Sequence, residues 1–350
     1  MTAPLDLDFV RAQFPALDQP IALLDNAGGS APARQVIARV TEHMERRPVQ
    51  LGASYALSRE ASAAVDAGRR AAEALVGARE GEVVLGQSTT TNIAMIASAL
   101  AGGWGPGDAV VVSDLEHESN RGPWRRLAAR GVEVREWRMR TETAQLHPGD
   151  LEPLLDDRVR LVAFTHCSNV VGAVHDVARV CARVRKAGAL SMVDGVAFAP
   201  HRLVDVEALG CDFYALSLYK TFGPHLGLLF GRAEVLRRAR GQNHFFIGED
   251  EVPYKLEPGN VPYELCASLV GIVDYFEALD LRHGGPASAT ARERVVAAYR
   301  LIADAEEQLV DPLLRFLRDD SRVHLLGPPE GGARVPTVAF HLADGRPAGT

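Results

Sequence analysis

From residue 82 onward the chain alternates short apolar runs with helical patterns, and that alternation restricts the fold more than any other feature. The runs are Val83–Gly86, Ala109–Ser113, Val132–Trp137, Arg160–Thr165, Ala189–Asp194, Phe213–Leu218 and Leu226–Phe230. Helical stretches over Asn92–Leu100, Pro123–Arg130, Val177–Ala187 and a short Val204–Leu209 separate them. Strands alternating with helices build βαβ units, hence an α/β fold with a mostly parallel sheet covered on both faces. In such sheets ligands gather at the strand ends.

The pattern changes after Gly241. Residues 242–263 are rich in Gly, Pro and Asn and read as a long functional loop. Helices over Glu264–Leu281 and Ala287–Leu317, then strands at Val323–Leu326 and Thr337–Leu342, read as the start of a smaller α+β domain. The expected division is an N-terminal segment 1–20, a large domain 21–270 and a small C-terminal domain 271–350. The chain stops just after a strand and a Gly/Pro turn, so the small domain is expected to be incomplete.

Composition narrows the class of function. A net charge of −7 with no basic run argues against nucleic acid as a partner. Apolar stretches are broken before a membrane span is reached, and the first residues lack the layout of a signal peptide. The four cysteines are scattered without a CxxC pair, which fits a reduced, cytoplasmic protein. Eleven histidines show no HExxH or paired Cys/His spacing, so no metal site is expected. Gly28-Gly29-Ser30 lacks the glycine spacing of a nucleotide loop. The acidic run Glu249-Asp250-Glu251 reads as a solvated loop.

Candidate chemistry sits at three strand ends. Gln87-Ser88-Thr89-Thr90-Thr91-Asn92 follows a strand and opens a helix. Its free N–H groups and hydroxyls suit a phosphate, or equally an ordinary helix cap. Asp194, in Val193-Asp194-Gly195, ends an apolar strand, where a carboxylate can meet a ring nitrogen, a metal or the following helix. Lys220 follows the buried run Phe213–Leu218, and a lysine there is either a solvated strand end or a desolvated amine suited to a Schiff base. Together they are the parts that pyridoxal 5′-phosphate (PLP) requires: a lysine for the aldehyde, an acid for the pyridine nitrogen and a phosphate cup.

The same residues carry a resemblance to a family. Leu24-Asp25-Asn26-Ala27, Ser88-Thr89-Thr90, Glu116-His117-Glu118-Ser119-Asn120, Thr165-His166-Cys167-Ser168-Asn169, Val193-Asp194-Gly195, Asp212-Phe213-Tyr214 through Tyr219-Lys220, and Leu256-Glu257-Pro258-Gly259 stand in the order of the class V aminotransferases. These are fold-type I PLP enzymes, and the chain resembles their cysteine desulfurase and selenocysteine lyase branch. The resemblance implies that Lys220 binds the cofactor and shuttles the α-proton, and that Asp194 pairs with the ring nitrogen. His117 would lie over the ring, Asn169 would reach its phenolic oxygen, and Thr89, Thr90 and Ser217 would hold the phosphate. Asn260 falls where the family places a phosphate contact from a neighbouring subunit, which implies a homodimer joined across the 242–263 loop.

There are departures from the family. Ala197 replaces a glutamine, Tyr219 replaces a histidine although its hydroxyl can reach the phosphate, and Asn260 replaces a threonine. Leu51-Gly52-Ala53 stands near a usual His-Arg pair. None of the four cysteines occupies the desulfurase nucleophile's position, and Cys167, Cys181, Cys211 and Cys266 read as core. The expected activity is cysteine desulfurase-like, taking sulfur from a small amino acid, L-cysteine, and passing it to an acceptor protein. An epimerase, lyase or aminotransferase of the same class, or a catalytically idle PLP-binding partner protein, is the alternative. Retention of Lys220, Asp194 and His117 argues against the idle form.

Overall fold

The computed structural model describes residues 4–346. Its centre is a seven-stranded sheet made of β1 (Val83–Gly86), β2 (Ala109–Ser113), β3 (Glu133–Trp137), β4 (Val159–Thr165), β5 (Leu190–Asp194), β6 (Phe213–Ser217) and β7 (Gly227–Gly231), in the order β1-β7-β6-β5-β4-β2-β3. Pairings from β3 through β2, β4 and β5 to β6 are parallel. The β7 strand runs antiparallel to both β6 and β1. Apart from β3 at the edge, which carries Glu133, Arg135 and Glu136, these strands are largely apolar because both faces are covered. In β1, Val83 and Leu85 enter one apolar core while Val84 enters the other.

Helices supply the two covers. Thr89–Leu100, Glu118–Arg125 and Val177–Lys186 follow β1, β2 and β4. Two long helices were not among the expected elements, Arg34–Arg46 and Ala56–Val76. The first buries only Val36 and His43, a thin stripe. The second packs mostly with small residues, Ser58, Ala61, Gly68, Ala71 and Ala72, joined by Val65, Leu75 and Val76. At Gly68 a Cβ would run into the Cys266 carbonyl, so this helix lies hard against its neighbour.

The expected helix Glu264–Leu281 is broken into Tyr263–Ala267 and Val270–Arg282. The Ser268 hydroxyl turns back to the Leu265 carbonyl at 2.8 Å at the break. The next helix starts at Ala291, later than the expected Ala287. Thr290 caps it with a reciprocal hydrogen bond to Glu293. Two short antiparallel strands close the described chain, β8 (Val323–Leu326) and β9 (Ala339–Leu342). Among the described residues no helix is long and apolar enough to cross a membrane.

Candidate active site

The parallel strands deliver their C-terminal ends to one cavity of about 170 Å³. Its lining includes Thr89, Thr90, His117, Asn169, Asp194, Ser217, Tyr219 and Lys220. Every site residue expected from the sequence is therefore present except Asn260. That residue lies outside the cavity with φ of +76°, and its Oδ1 accepts the Tyr254 hydroxyl at 2.8 Å.

The helix N-terminus does two jobs. Ser88 is its N-cap and exchanges hydrogen bonds with Thr91, so the ordinary capping role is real. Thr89 and Thr90 are left to face the cavity. The Thr89 and Ser217 hydroxyls lie 2.8 Å apart, and those of Thr90 and Ser119 lie 2.6 Å apart. Paired hydroxyls beside free N–H groups form a cup for an anion. Ser119 was not singled out from the sequence, since a serine inside a helix start gives no signal by itself.

Asp194 ends β5 and is buried, and its Oδ1 accepts the Val196 N–H at 2.9 Å. It caps the next turn, yet one hydrogen bond leaves most of its acceptor capacity unused. Burial raises its pKa, while His117 and Lys220 act in the opposite direction. No arginine or lysine forms an ion pair with it among the described residues. Gly195 is glycine for a steric reason: a Cβ there would fall inside the Tyr214 ring.

Lys220 lies in a short 3₁₀ turn after β6, half-buried, and its Nζ donates to the Ala27 carbonyl at 2.7 Å. Desolvation lowers its pKa, against the attraction of Asp194 and Asp25. An amine of lowered pKa held only by a carbonyl can become a nucleophile. Next to it, the Tyr219 ring stacks on His225 with centroids 4.6 Å apart. His225 lines the cavity as well.

His117 caps the helix Glu118–Arg125. Its Nδ1 accepts the Ser119 N–H at 3.2 Å and lies 2.8 Å from the Ser119 hydroxyl. An accepting Nδ1 leaves the proton of the neutral ring on Nε2. Cys167 is part of the cavity wall but fully buried, and burial pushes its thiol up to about 12. Cys181, Cys211 and Cys266 are buried and unpaired, as expected of core residues. Glu249 is more than solvated loop: its carboxylate accepts the Gly241 N–H.

PLP fits this donor set. The hydroxyl cup matches a phosphate, the under-used buried carboxylate of Asp194 matches a protonated ring nitrogen, and Lys220 is free to react. No group of three or more possible metal ligands occurs among the described residues.

Comparison with known proteins places the chain. The family model "Aminotransferase class-V" matches residues 22–308. An aminotransferase-like protein, FGM3 of Gibberella zeae, is 34% identical over 97% of this chain and 82% of its own length. A cysteine desulfurase of Yersinia pseudotuberculosis is 35% identical over 96% of this chain and 82% of its own. In fold, the chain is similar to the cysteine desulfurase of Thermococcus onnurineus, with a TM-score of 0.83, 23% identity, and coverage of 98% of this chain and 84% of that one. The fold is that of the fold-type I PLP enzymes, and the chain belongs to the class V aminotransferase family of PLP-dependent enzymes.

Proposed function

We propose that this enzyme removes the α-proton of L-cysteine and passes the sulfur to an acceptor thiol, leaving alanine. The observation that carries the reading is the convergence of Lys220, Asp194, Asn169 and the paired hydroxyls on one cavity. Relatives named cysteine desulfurase over most of the chain support it.

Bound PLP supplies an electron sink for the negative charge left at the substrate Cα. Lys220 Nζ would carry the cofactor and, as a free amine, would take the substrate Cα proton. Its lowered pKa keeps a fraction of the amine unprotonated for both tasks. Asp194 would hold the proton of the ring nitrogen. Asn169 would donate to the phenolic oxygen. Thr89, Thr90 and Ser217 would donate to the phosphate, and the Tyr219 hydroxyl would add to that set. His117, in the cavity lining, would lie over the ring and could bring a proton to the substrate carbon left by the sulfur.

Sulfur release breaks the Cβ–S bond. The acceptor thiolate takes the sulfur as a persulfide, and protons at Cα and Cβ complete alanine. The acceptor is a thiol outside the four cysteines of this chain: burial raises the pKa of each, so each is protonated at neutral pH. A sulfur-acceptor protein is the natural donor of such a thiol. The buried cysteines, with Ala197 and Tyr219 in place of the family's Gln and His, favour a second reading. In it the proton returns to Cα or the substrate is processed as by a lyase or aminotransferase.

The working unit in this proposal is a homodimer, with Asn260 reaching the partner subunit's phosphate cup. That use of Asn260 is compatible with its place outside its own cavity. The large domain spans residues 21–270 and the small one 271–350. Unpaired cysteines support a cytoplasmic location.

The test is alanine formation from cysteine with and without an added thiol, run beside α-proton exchange in heavy water. Alanine formed only with added thiol is the expected result. Exchange without alanine shifts the assignment to the second reading, and no exchange with any small amino acid overturns both.

A further inference from the structure

Next to His117, outside the cavity lining, is a second buried carboxyl group that the proposed reaction does not use. Glu116 is 9% exposed. Its Oε1 lies 2.5 Å from the Ser113 hydroxyl, and its Oε2 accepts from Asn120 Nδ2 at 2.6 Å. Trp124 Nε1 donates to Asn120 Oδ1 at 3.2 Å. An indole N–H can only donate, so the Asn120 amide orientation is fixed, with its NH₂ toward Glu116. The Glu116 carboxyl is thus locked in place by three residues from β2 and the helix that His117 caps.

No cation pairs with Glu116 among the described residues, and the charge that bears on it is the like charge of Asp194. Two carboxyl groups that repel each other in a buried site, with no cation in contact with either, do not both ionise readily. We propose that Glu116 holds a proton while Asp194 is ionised, so the pair presents one negative charge, and that Glu116 is a positioning residue for Asp194 and His117. The Ser113 hydroxyl, which donates to Glu116 Oε1 at 2.5 Å when the acid is charged, turns to accept from it when the acid holds its proton. Asp194 is the member that ionises because the Val196 N–H donates to it and the charge of Lys220 favours its ionised form.

The surrounding groups leave this balance intact. Burial, then the Asp194 charge, pushes Glu116 up to about 8. His166 and His175, at the end of β4 and in the turn after it, are kept neutral by burial, at about 3 and about 4. His117 and Lys220 act on Asp194. The inference rests on Asp194 being the ring-facing acid only for its consequence, since the proton on Glu116 is read on the carboxyl itself.

Infrared spectroscopy of the purified protein, with cofactor bound and after its removal, tests this. The expected result is a protonated-carboxyl C=O band at neutral pH that vanishes in Glu116→Gln and fades as pH passes about 8. Glu116→Gln reproduces the neutral acid in shape and should retain the bound-cofactor absorbance while losing any pH-dependent change near that midpoint. Glu116→Ala, which frees Asn120 and Ser113, should shift that absorbance. Absence of the band at neutral pH, or a Glu116→Gln spectrum as disturbed as that of Glu116→Ala, overturns the proposal. If the band behaves as expected but the cofactor spectrum is indifferent to Asp194→Asn, the reading of Asp194 fails and the proton assignment stands.

Discussion

Glu257 is buried at the root of the 242–263 loop, and its replacement should unfold more than that loop. Its two oxygens accept Arg69 NH1 and NH2 at 2.7 and 2.8 Å, a fork-to-fork pair, and Oε1 also accepts the Leu85 N–H at 2.8 Å. Leu85 belongs to β1, the outermost strand on its side of the sheet, so the carboxylate caps an open edge. Glu257→Ala strands a largely buried guanidinium and frees a buried N–H. Breaking one side of such a pair costs about 3–5 kcal/mol, against a total of roughly 5–15 kcal/mol for a folded domain. The first unfolding transition in urea, followed by circular dichroism, should move accordingly. Arg69→Met combined with Glu257→Leu removes both charges and should recover most of the loss. A loss below about 1 kcal/mol, the size of an exposed pair, or a double variant as weak as Glu257→Ala, would refute the reasoning.

Other outcomes follow from the same geometry. His166 and His175 have folded pKa values near 3 and 4, below the ordinary 6.5. The unfolded chain therefore binds more protons in that window, and thermal stability should fall as pH drops below about 6.5. His166→Asn should flatten part of that decline, and an unchanged pH profile would count against a buried neutral His166. Gly195→Ala forces a methyl into the Tyr214 ring and should cost about 1–3 kcal/mol while disturbing Asp194, and a variant with unchanged melting temperature would contradict the close approach. Asp194→Asn should slow substrate α-proton exchange by about 100-fold or more with little change in melting temperature. Unaltered exchange would reduce Asp194 to a cap.

The parts of the fold that the sequence made legible share a cause. The ends of β1, β2 and β8 fall at the expected residues because apolar runs are bounded there by charge or turn residues. The reversed direction of β7 was hidden, since Leu226–Phe230 looks the same read along either direction. Ala56–Val76 was hidden because alanine, serine and glycine make up most of its buried face, with Val65, Leu75 and Val76 too sparse to form a periodic ridge of large side chains. Lys220, Asp194 and the Thr89–Thr90 hydroxyls stand out because each polar group ends or follows a buried strand. Glu116 did not, because a glutamate just past a strand end is ordinarily solvated, and only packing of Asn120 and Trp124 around it reveals a buried acid.

The central claim is that Lys220 carries the cofactor in this cavity. Borohydride reduction of the purified, PLP-loaded protein followed by peptide mapping tests it directly. The account predicts a yellow protein and one phosphopyridoxyl adduct, on the peptide containing Lys220, absent in Lys220→Ala. An adduct on Lys186 or Lys255 instead, or no adduct in a protein that holds PLP, would contradict it.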